Sequence, residues 1–554
     1  MPVDATELPR RASILGAGVV TLTALYLYLR TLHPGVGPSL DSMELQIAVL
    51  VDGVIHPPGS PQYLLLGKLA MLALPGPNPA YRLNLLSALA GAATVGITFL
   101  LAYRLIRRPG REVAALIASA LASLSLASAP RVWYQASVAE LYALNALYVA
   151  LTAYLLLVWS QTRRPGAFWA AVIVYALSFG NHLTMILLLP AFLYTVAITD
   201  RTMLLRPRHL AVVTTIVLLS ALQYGVIPLR VAADPPFCNF CPSNAALPSY
   251  LIGGAFRHAY FALPKRDILA RLPESVGQFN TQFMPWGYAL GIVGLWELFR
   301  RQARIAWLLV WGILAEHIFV IAYAIPDWHD FLTPCYVLFA PLIAEGAVQV
   351  WGWLAKRRSL ARMTRWRERT LAPSLLGLAA LALLGAALNS WWLVDQSQRT
   401  EFEANGRALI AEAQPGAWLL MPHPNSAAFY YSWAVRYLAF LEEVPGFSAV
   451  TPPEIDPPPG PEPGYRSWAS AAPALDPAAL IESPRQVLVL DPSEPRVADY
   501  GLLPVCVPGT STIAGYEVVA VRQGEWVTPL VDADRWAAVG AWAVFGGEAA
   551  TCPR

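Results

Sequence analysis

Clusters of basic residues interrupt a chain otherwise built of long apolar runs: Arg10 and Arg11, Arg107 to Arg111, Arg163 and Arg164, Arg201 to Arg208, Arg300 to Arg304, and Lys356 to Arg369. Between them, about eleven segments approach the roughly 20 apolar residues that a helix needs to cross a hydrocarbon core. They fall near 12–30, 83–106, 112–129, 138–160, 167–180, 182–199, 210–229, 284–299, 305–325, 332–354 and 372–393. Threaded from an inside N-terminus, this order puts every basic cluster on one side, as the positive-inside rule asks of short loops. The alternation predicts an α-helical polytopic membrane protein. It assigns four parts to the outer side: the loop 31–81, the loop 230–283, the short loop around Asp327, and everything after Asp395.

Composition agrees. Apolar residues make up 56% of the 554 and charged ones 14%, which excludes an ordinary soluble enzyme and fits a chain solvated by lipid. The net charge of +3 hides a division, because the stretch from Asp395 onward holds 9 Arg against 19 Asp or Glu. Only Lys68, Lys265 and Lys356 are lysines, so no lysine-rich nucleic-acid patch exists and no nucleic-acid partner is expected. The Arg and Ala bias suggests a GC-rich prokaryotic genome and hence a plasma (inner) membrane. Arg10 and Arg11 precede an apolar run with no small-residue cleavage site after it, which predicts an uncleaved first span. The cysteines are too few for a disulfide scaffold or a four-thiolate zinc site. On an oxidising outer side, links from Cys238 to Cys241 and from Cys506 to Cys552 are open to form.

The acidic tail, 395–554, reads as a small α/β domain appended to the membrane part, 1–394. Short β-type runs (Ala417 to Met421, Gln486 to Leu490, Tyr516 to Val521) alternate with a helix-like stretch near Ala427 to Leu441. The proline-rich TPPEIDPPPGPEPG from Thr451 can be neither helix nor central strand.

Polar chemistry concentrates in the first outer loop. Asp41 and Glu44 are three residues apart, so on a helix their carboxylates share a face. Leu45, Ile47, Ala48 and Val51 make that helix amphipathic and suited to lying along the outer interface. His56, Pro57, Pro58 and Gly59 then form a rigid corner that presents the imidazole. The apolar run Tyr63 to Leu74 would be about 18 Å long as a helix, too short to span, and reads as re-entrant or interfacial. Taken alone, Asp41 reads first as a helix cap and Glu44 as a solvated acid, while His56 suits a structural bond as well as a ligand.

The pattern of D-x-x-E at Asp41, HPPG at His56, YRLNLLSAL from Tyr81 and SVAELYALNALY from Ser137 resembles the protein O-mannosyltransferase-like membrane family, whose members have the GT-C glycosyltransferase architecture. GNHL from Gly180, YGVIPLR ending at Arg230 and IPDWHDFLTPCY from Ile325 extend the resemblance to roughly residues 35–350. Ser60 stands where a larger residue is expected, and the C-x-x-C of the second outer loop has no place in the pattern. The resemblance implies a donor sugar, mannose by analogy, carried on a polyprenyl or dolichyl phosphate and transferred with inversion at the outer face. The acceptor would be a protein Ser or Thr, or a glycan or lipid hydroxyl. The base would be Asp41 first and Glu44 second. A carboxylate within reach of the acceptor hydroxyl suits that chemistry on general grounds. The leaving lipid phosphate is already a stable anion and needs donors or positive charge around it.

Arg230 is the first candidate for that phosphate, because a guanidinium grips two phosphate oxygens; as an ordinary interface arginine it would need no such role. His56 and the pair Arg257 and His258 follow. Glu140 and His182, near the outer ends of their spans, are expected to line a substrate cleft or to serve a helix contact. Glu316 and His317 lie deeper and point in different directions. Asp327, His329 and Asp330 read as a structural or acceptor-binding loop, and neither a metal nor a cofactor is expected. Trp133, Tyr134, Trp286, Trp328, Trp391 and Trp392 are expected mainly in interface belts. Two readings compete with transfer: a transporter or flippase of lipid-linked sugars, which should show related halves and interrupted helices meeting at mid-membrane, and an assembly factor acting through its tail.

Overall fold

The structure, a computed structural model, describes residues 7–356, 366–420, 428–445, 448–450, 465–466, 480, 486–490, 500–508, 512–523, 526–539 and 543. The proline-rich stretch 451–464, Cys552 and positions 357–365 of the last basic cluster lie outside the described residues.

Every one of the expected apolar segments is helical. Among the described residues, eight helices are long and apolar enough to cross a membrane by themselves, Pro79–Ile106, Leu141–Thr162 and Pro207–Ala232 included. The remaining expected spans are accounted for by three irregularities. Lys265–Ala322 counts as one helix yet holds two expected segments, and its backbone leaves helical geometry at Met284 and Gln302. Glu112–Ala127 meets Pro130–Ser137 at a 63° bend. Pro165–Ser178 is apolar but only 14 residues long. The protein is thus a multi-pass membrane protein.

The bends follow from sequence. Pro130 opens its helix where a missing N–H costs nothing, and it disfavours helical backbone at Ala129. The short helix it starts folds inward, so Trp133 is fully buried and its indole donates to Thr31 Oγ1 at 2.7 Å. That corrects the expectation of a belt residue: the indole N–H has found a partner inside. Trp392, by contrast, is 84% exposed. Just beyond the Ile106 end of the helix Pro79–Ile106, Arg108 and Arg301 both pair with buried Glu345.

The opposite end holds the first loop, as helices Leu40–Leu50 and Pro61–Ala73. Ser39 caps the first of them, its hydroxyl accepting from Ser42 N at 3.0 Å. Residues 42–49 are all buried, so this helix does not lie along an interface. The correction has a physical cause: helix Ala428–Leu441, from the chain's acidic tail, covers it. Val36, Met43 and Ile47 share one apolar core with Trp433, Tyr437 and Leu438. Ala80 N donates to Tyr437 Oη at 3.0 Å across the same junction.

Beyond this helix stands a mixed sheet. Strands β1 (Cys241–Pro242) and β4 (Tyr465–Arg466) pair antiparallel and join the second loop to the tail. Strands β2 (Trp418–Leu420), β3 (Ser448–Val450), β5 (Val487–Val489), β6 (Tyr500–Cys506) and β7 (Ile513–Gln523) run in the order β3-β2-β5-β7-β6, with β8 (Trp526–Pro529) also on β7. β2 is parallel to β3 and β5, and the rest are antiparallel. The three expected β-type runs are β2, β5 and β7, and the helix-like stretch is Ala428–Leu441.

Candidate active site

The cap at Ser39 sets the phase of the Leu40–Leu50 helix, so that Asp41 and Glu44 reach the same space one turn apart. Glu44 is almost fully buried and heavily used. It accepts from His56 N at 2.8 Å and from Asn239 Nδ2 at 2.6 Å, and its second oxygen pairs with His56 Nδ1. His56 is held there by its corner. Gly59 N closes a turn onto His56 O at 2.9 Å, and Tyr250 Oη donates to Ile55 O. Gly59 has φ +86°, and a Cβ on it would come within 2.8 Å of Ile227 Cδ1 and 2.9 Å of Tyr250. Only glycine fits that position.

Asp41 differs from its neighbour. It is half-buried, accepts no hydrogen bond among the described residues, and faces a cavity of about 400 Å³. Pro57, Pro58, Glu140, His182 and Asp327 line the same cavity. Glu140 precedes the helix Leu141–Thr162 and accepts from Ser39 Oγ at 2.8 Å. His182 Nδ1 accepts from Thr184 N at 3.3 Å, which leaves the ring proton on Nε2.

The electrostatics separate these groups. Burial pushes the Asp41 carboxyl up to about 6; His56 pulls it down, and Glu44, Asp327 and Asp330 push it further up. Burial by itself would lower His56, but the charge and hydrogen bond of Glu44, with Asp41 and Glu140 behind, outweigh it and push the imidazole up to about 10. Burial and then the Asp41 charge raise Glu140 well above the usual carboxylate range. Burial and then the charge on His56 lower His182 to about 4, so it is neutral near pH 7. The cavity therefore offers an unpaired carboxylate that is a stronger base than an ordinary aspartate, beside an imidazolium.

Other expected site residues lie elsewhere. Arg230 is outside this cavity: its guanidinium donates to Gly53 O at 2.7 Å and Ala48 O at 3.4 Å and pairs with Asp52 at 3.1 Å. Arg257 and His258 are on the exposed side of the turn Gly254–Ala259, whose neighbours Phe256 and Tyr260 do line the cavity. The Asp327 loop does not converge on one point. His329 turns to Glu274 at 2.9 Å, and Asp330 accepts from Arg131 at 3.0 Å and Gln135 at 2.7 Å. Deeper in the bundle, His317 contacts Ser275 at 2.8 Å while Glu316 does not join it. Ligand atoms of Asp41, Glu44 and His56 lie within 4.8 Å of one another, a spacing that a cation could bridge, although Glu44 and His56 already satisfy each other.

Sequence reasoning missed Asn239 and the aromatic wall of Tyr142, Phe240, Phe256, Tyr260, Tyr323 and Phe331. It also missed Trp433, which reaches the cavity from the tail helix. The unplaced C-x-x-C was a signal for Asn239, because Cys238 and Cys241 are disulfide-bonded around it. Cys506 is disulfide-bonded too.

Residues 41–205, which include the acid pair and the HPPG corner, match the family model described as the protein O-mannosyl-transferase TMEM260 N-terminal domain. The mouse protein O-mannosyl-transferase TMEM260 is 32% identical over 143 residues, which cover 26% of this chain and 19% of the mouse protein. The chain thus spans about a fifth of that relative. Among solved structures, ArnT from Cupriavidus metallidurans bound to undecaprenyl phosphate superposes with a TM-score of 0.60 at 16% identity, over 96% of this chain and 99% of that one. Its apo state gives 0.59 at 16% identity, over 91% and 96%. The chain therefore resembles the TMEM260 protein O-mannosyl-transferase family over residues 41–205 and has, along nearly its whole length, the GT-C fold of ArnT.

Proposed function

We propose that the protein is an inverting GT-C glycosyltransferase that moves a mannosyl group from a polyprenyl-phosphate donor to a hydroxyl on the extracytoplasmic side of a prokaryotic plasma membrane. The acceptor is a protein Ser or Thr, or a glycan or lipid hydroxyl. Asp41 takes the acceptor proton as the oxygen attacks the anomeric carbon from the face opposite the phosphate. The new C–O bond forms as the bond to the phosphate oxygen breaks, and polyprenyl phosphate leaves as an anion. No cofactor enters this step. The observation that carries the reading is the Asp41 carboxylate, unpaired among the described residues and turned into the cavity. His56, protonated near pH 7 by its neighbours, is the cation available there to the leaving phosphate. The ArnT structure with undecaprenyl phosphate supports a lipid-phosphate donor by analogy of fold.

Orientation in this reading follows the positive-inside rule: Arg163 and Arg164, for example, follow the helix Leu141–Thr162 at the end away from Glu140, which lines the cavity. A transporter of lipid-linked sugars is less well supported, because the polar groups collect at one end of the bundle. The test is to incubate the purified protein with polyprenyl-phosphate mannose and candidate acceptors and to identify products by mass spectrometry. A mannosylated acceptor from the wild type and none from Asp41→Asn is the expected result. Equal product from both would end the assignment of Asp41, and none from either would end the transfer reading.

A further inference from the structure

Two carboxylates one helical turn apart compete here for a single imidazole. Asp41, Glu44 and His56 bring ligand-type atoms within 4.8 Å of one another, yet His56 pairs with Glu44 alone. Local geometry accounts for part of this preference, since His56 N also donates to Glu44 at 2.8 Å. The rest comes from outside the first loop. Asn239 Nδ2 donates to the same Glu44 oxygen at 2.6 Å, and Asn239 is 8% exposed. A buried carboxylate that accepts several such bonds is stabilised as the anion and fixed in orientation.

Asn239 is itself braced from two directions. On one side the disulfide Cys238–Cys241 closes around it, its N–H donates to Val54 O at 2.8 Å, and Val54 N donates to Phe237 O at 3.1 Å. On the other side the tail holds the loop: Phe237 packs edge-on against Trp433 at 5.7 Å and under the Arg436 guanidinium at 5.2 Å, and β1 pairs with β4. The disulfide turn is therefore a bracket between the tail helix and the acid pair.

We propose that Asn239 is a positioning residue which, by anchoring Glu44, reserves His56 for Glu44 and leaves Asp41 free of a partner. The charged groups around Asp41 make the consequence definite. Glu44 lies on its own helix, His56 comes from the HPPG corner, Glu140 from the start of the next long helix, and Asp327 and Asp330 from the loop before Thr333–Lys356. His182 shares the cavity but is neutral near pH 7, and Arg436 of the tail helix is turned to Phe237. His56 is thus the one cation among these neighbours that can move to Asp41. Without Asn239, Glu44 loosens and the imidazolium shares itself with Asp41. A carboxylate paired with a cation holds its proton less tightly and is a weaker base.

The kinetic arm rests on the transfer reading. Asn239→Ala should lower kcat about tenfold or more, leave the donor KM within about twofold, and move the acid limb of the pH–rate profile down by about one pH unit. Opening the disulfide in Cys238→Ser/Cys241→Ser should move the limb the same way, which covers the case where Asn239→Ala fails to fold. A fall in rate with the limb unmoved would reduce Asn239 to a structural role and overturn the proposal. A second arm needs no transfer activity: the His56 titration is followed by NMR of 13C-labelled histidine. Asp41→Asn should lower the His56 pKa in both backgrounds, by about one unit more in Asn239→Ala than in the wild type, where Glu44 is the main partner. Equal shifts in both backgrounds would overturn the proposal whatever the protein transfers, and absence of transfer alone would overturn only the reading beneath the first arm.

Discussion

Ser39 and Glu140 are 101 positions apart and meet in a 2.8 Å hydrogen bond that ties the start of the acid-bearing helix to the start of Leu141–Thr162. The same serine hydroxyl accepts from Ser42 N, so one side chain both caps the helix and joins it to the bundle. Ser39→Ala should cost about 1 kcal/mol for the cap and a further ~1 kcal/mol for the lost link, seen as a lowered midpoint of thermal unfolding in detergent. Glu140→Gln should leave the midpoint unchanged or raise it, because the amide oxygen still accepts from Ser39 and no buried acid remains. A larger loss in Glu140→Gln than in Ser39→Ala would show that the charge of Glu140, and not its acceptor, holds the two helices.

Asp41 should set the acid limb of transfer. A base acts only when ionised, and burial raises this carboxyl to about 6. The rate should therefore climb as pH rises through about 6 and level off above it, whereas an ordinary aspartate would place the limb near about 3.9. Asp41→Asn should lower kcat about 10²- to 10⁴-fold on the plateau above the limb and remove the limb itself, so that the difference narrows at lower pH, with unfolding unaffected. A pH–rate profile that keeps its limb in Asp41→Asn would assign the base elsewhere.

The membrane bundle was legible because lipid imposes length and charge rules that a single sequence displays. Segments 284–299 and 305–325 are two helical stretches of Lys265–Ala322, divided where the backbone leaves helical geometry at Gln302. The acid pair and the HPPG corner were legible from local spacing. Asn239 and Trp433 were not: 195 residues separate Asn239 from Glu44, and the C-x-x-C around Asn239 marks a constrained turn without saying what that turn meets. The interfacial placement of Leu40–Leu50 failed for the same reason: its apolar face predicted burial but could not say that Ala428–Leu441, and not lipid, would cover it.

Arg230 shows how a plausible phosphate ligand can have its donors committed elsewhere. Its guanidinium fastens Ala48 O, Gly53 O and Asp52 at the turn that follows the acid-bearing helix. Arg230→Ala strands those carbonyls and should destabilise the fold by about 2 kcal/mol while leaving the donor KM within about twofold. A rise in donor KM with an unchanged unfolding midpoint would return Arg230 to the phosphate.

Trp433 places the tail in the same frame. It is 4% exposed, lines the cavity, and packs with Phe237, which carries the disulfide turn. Trp433→Ala should cost about 3–5 kcal/mol, as a buried large aromatic does, and should slow transfer because the bracket at Asn239 loses its backing. Trp433→Phe keeps an aromatic edge against Phe237 and should recover most of both. Removing the chain after Val394 takes away the whole cover, leaving Met43, Ile47 and Leu45 to face water. That truncation should yield protein that inserts but aggregates on extraction, measured by size-exclusion chromatography in detergent. If it stays monodisperse and transfers normally, the tail is an independent appendage and the first loop is stable without it.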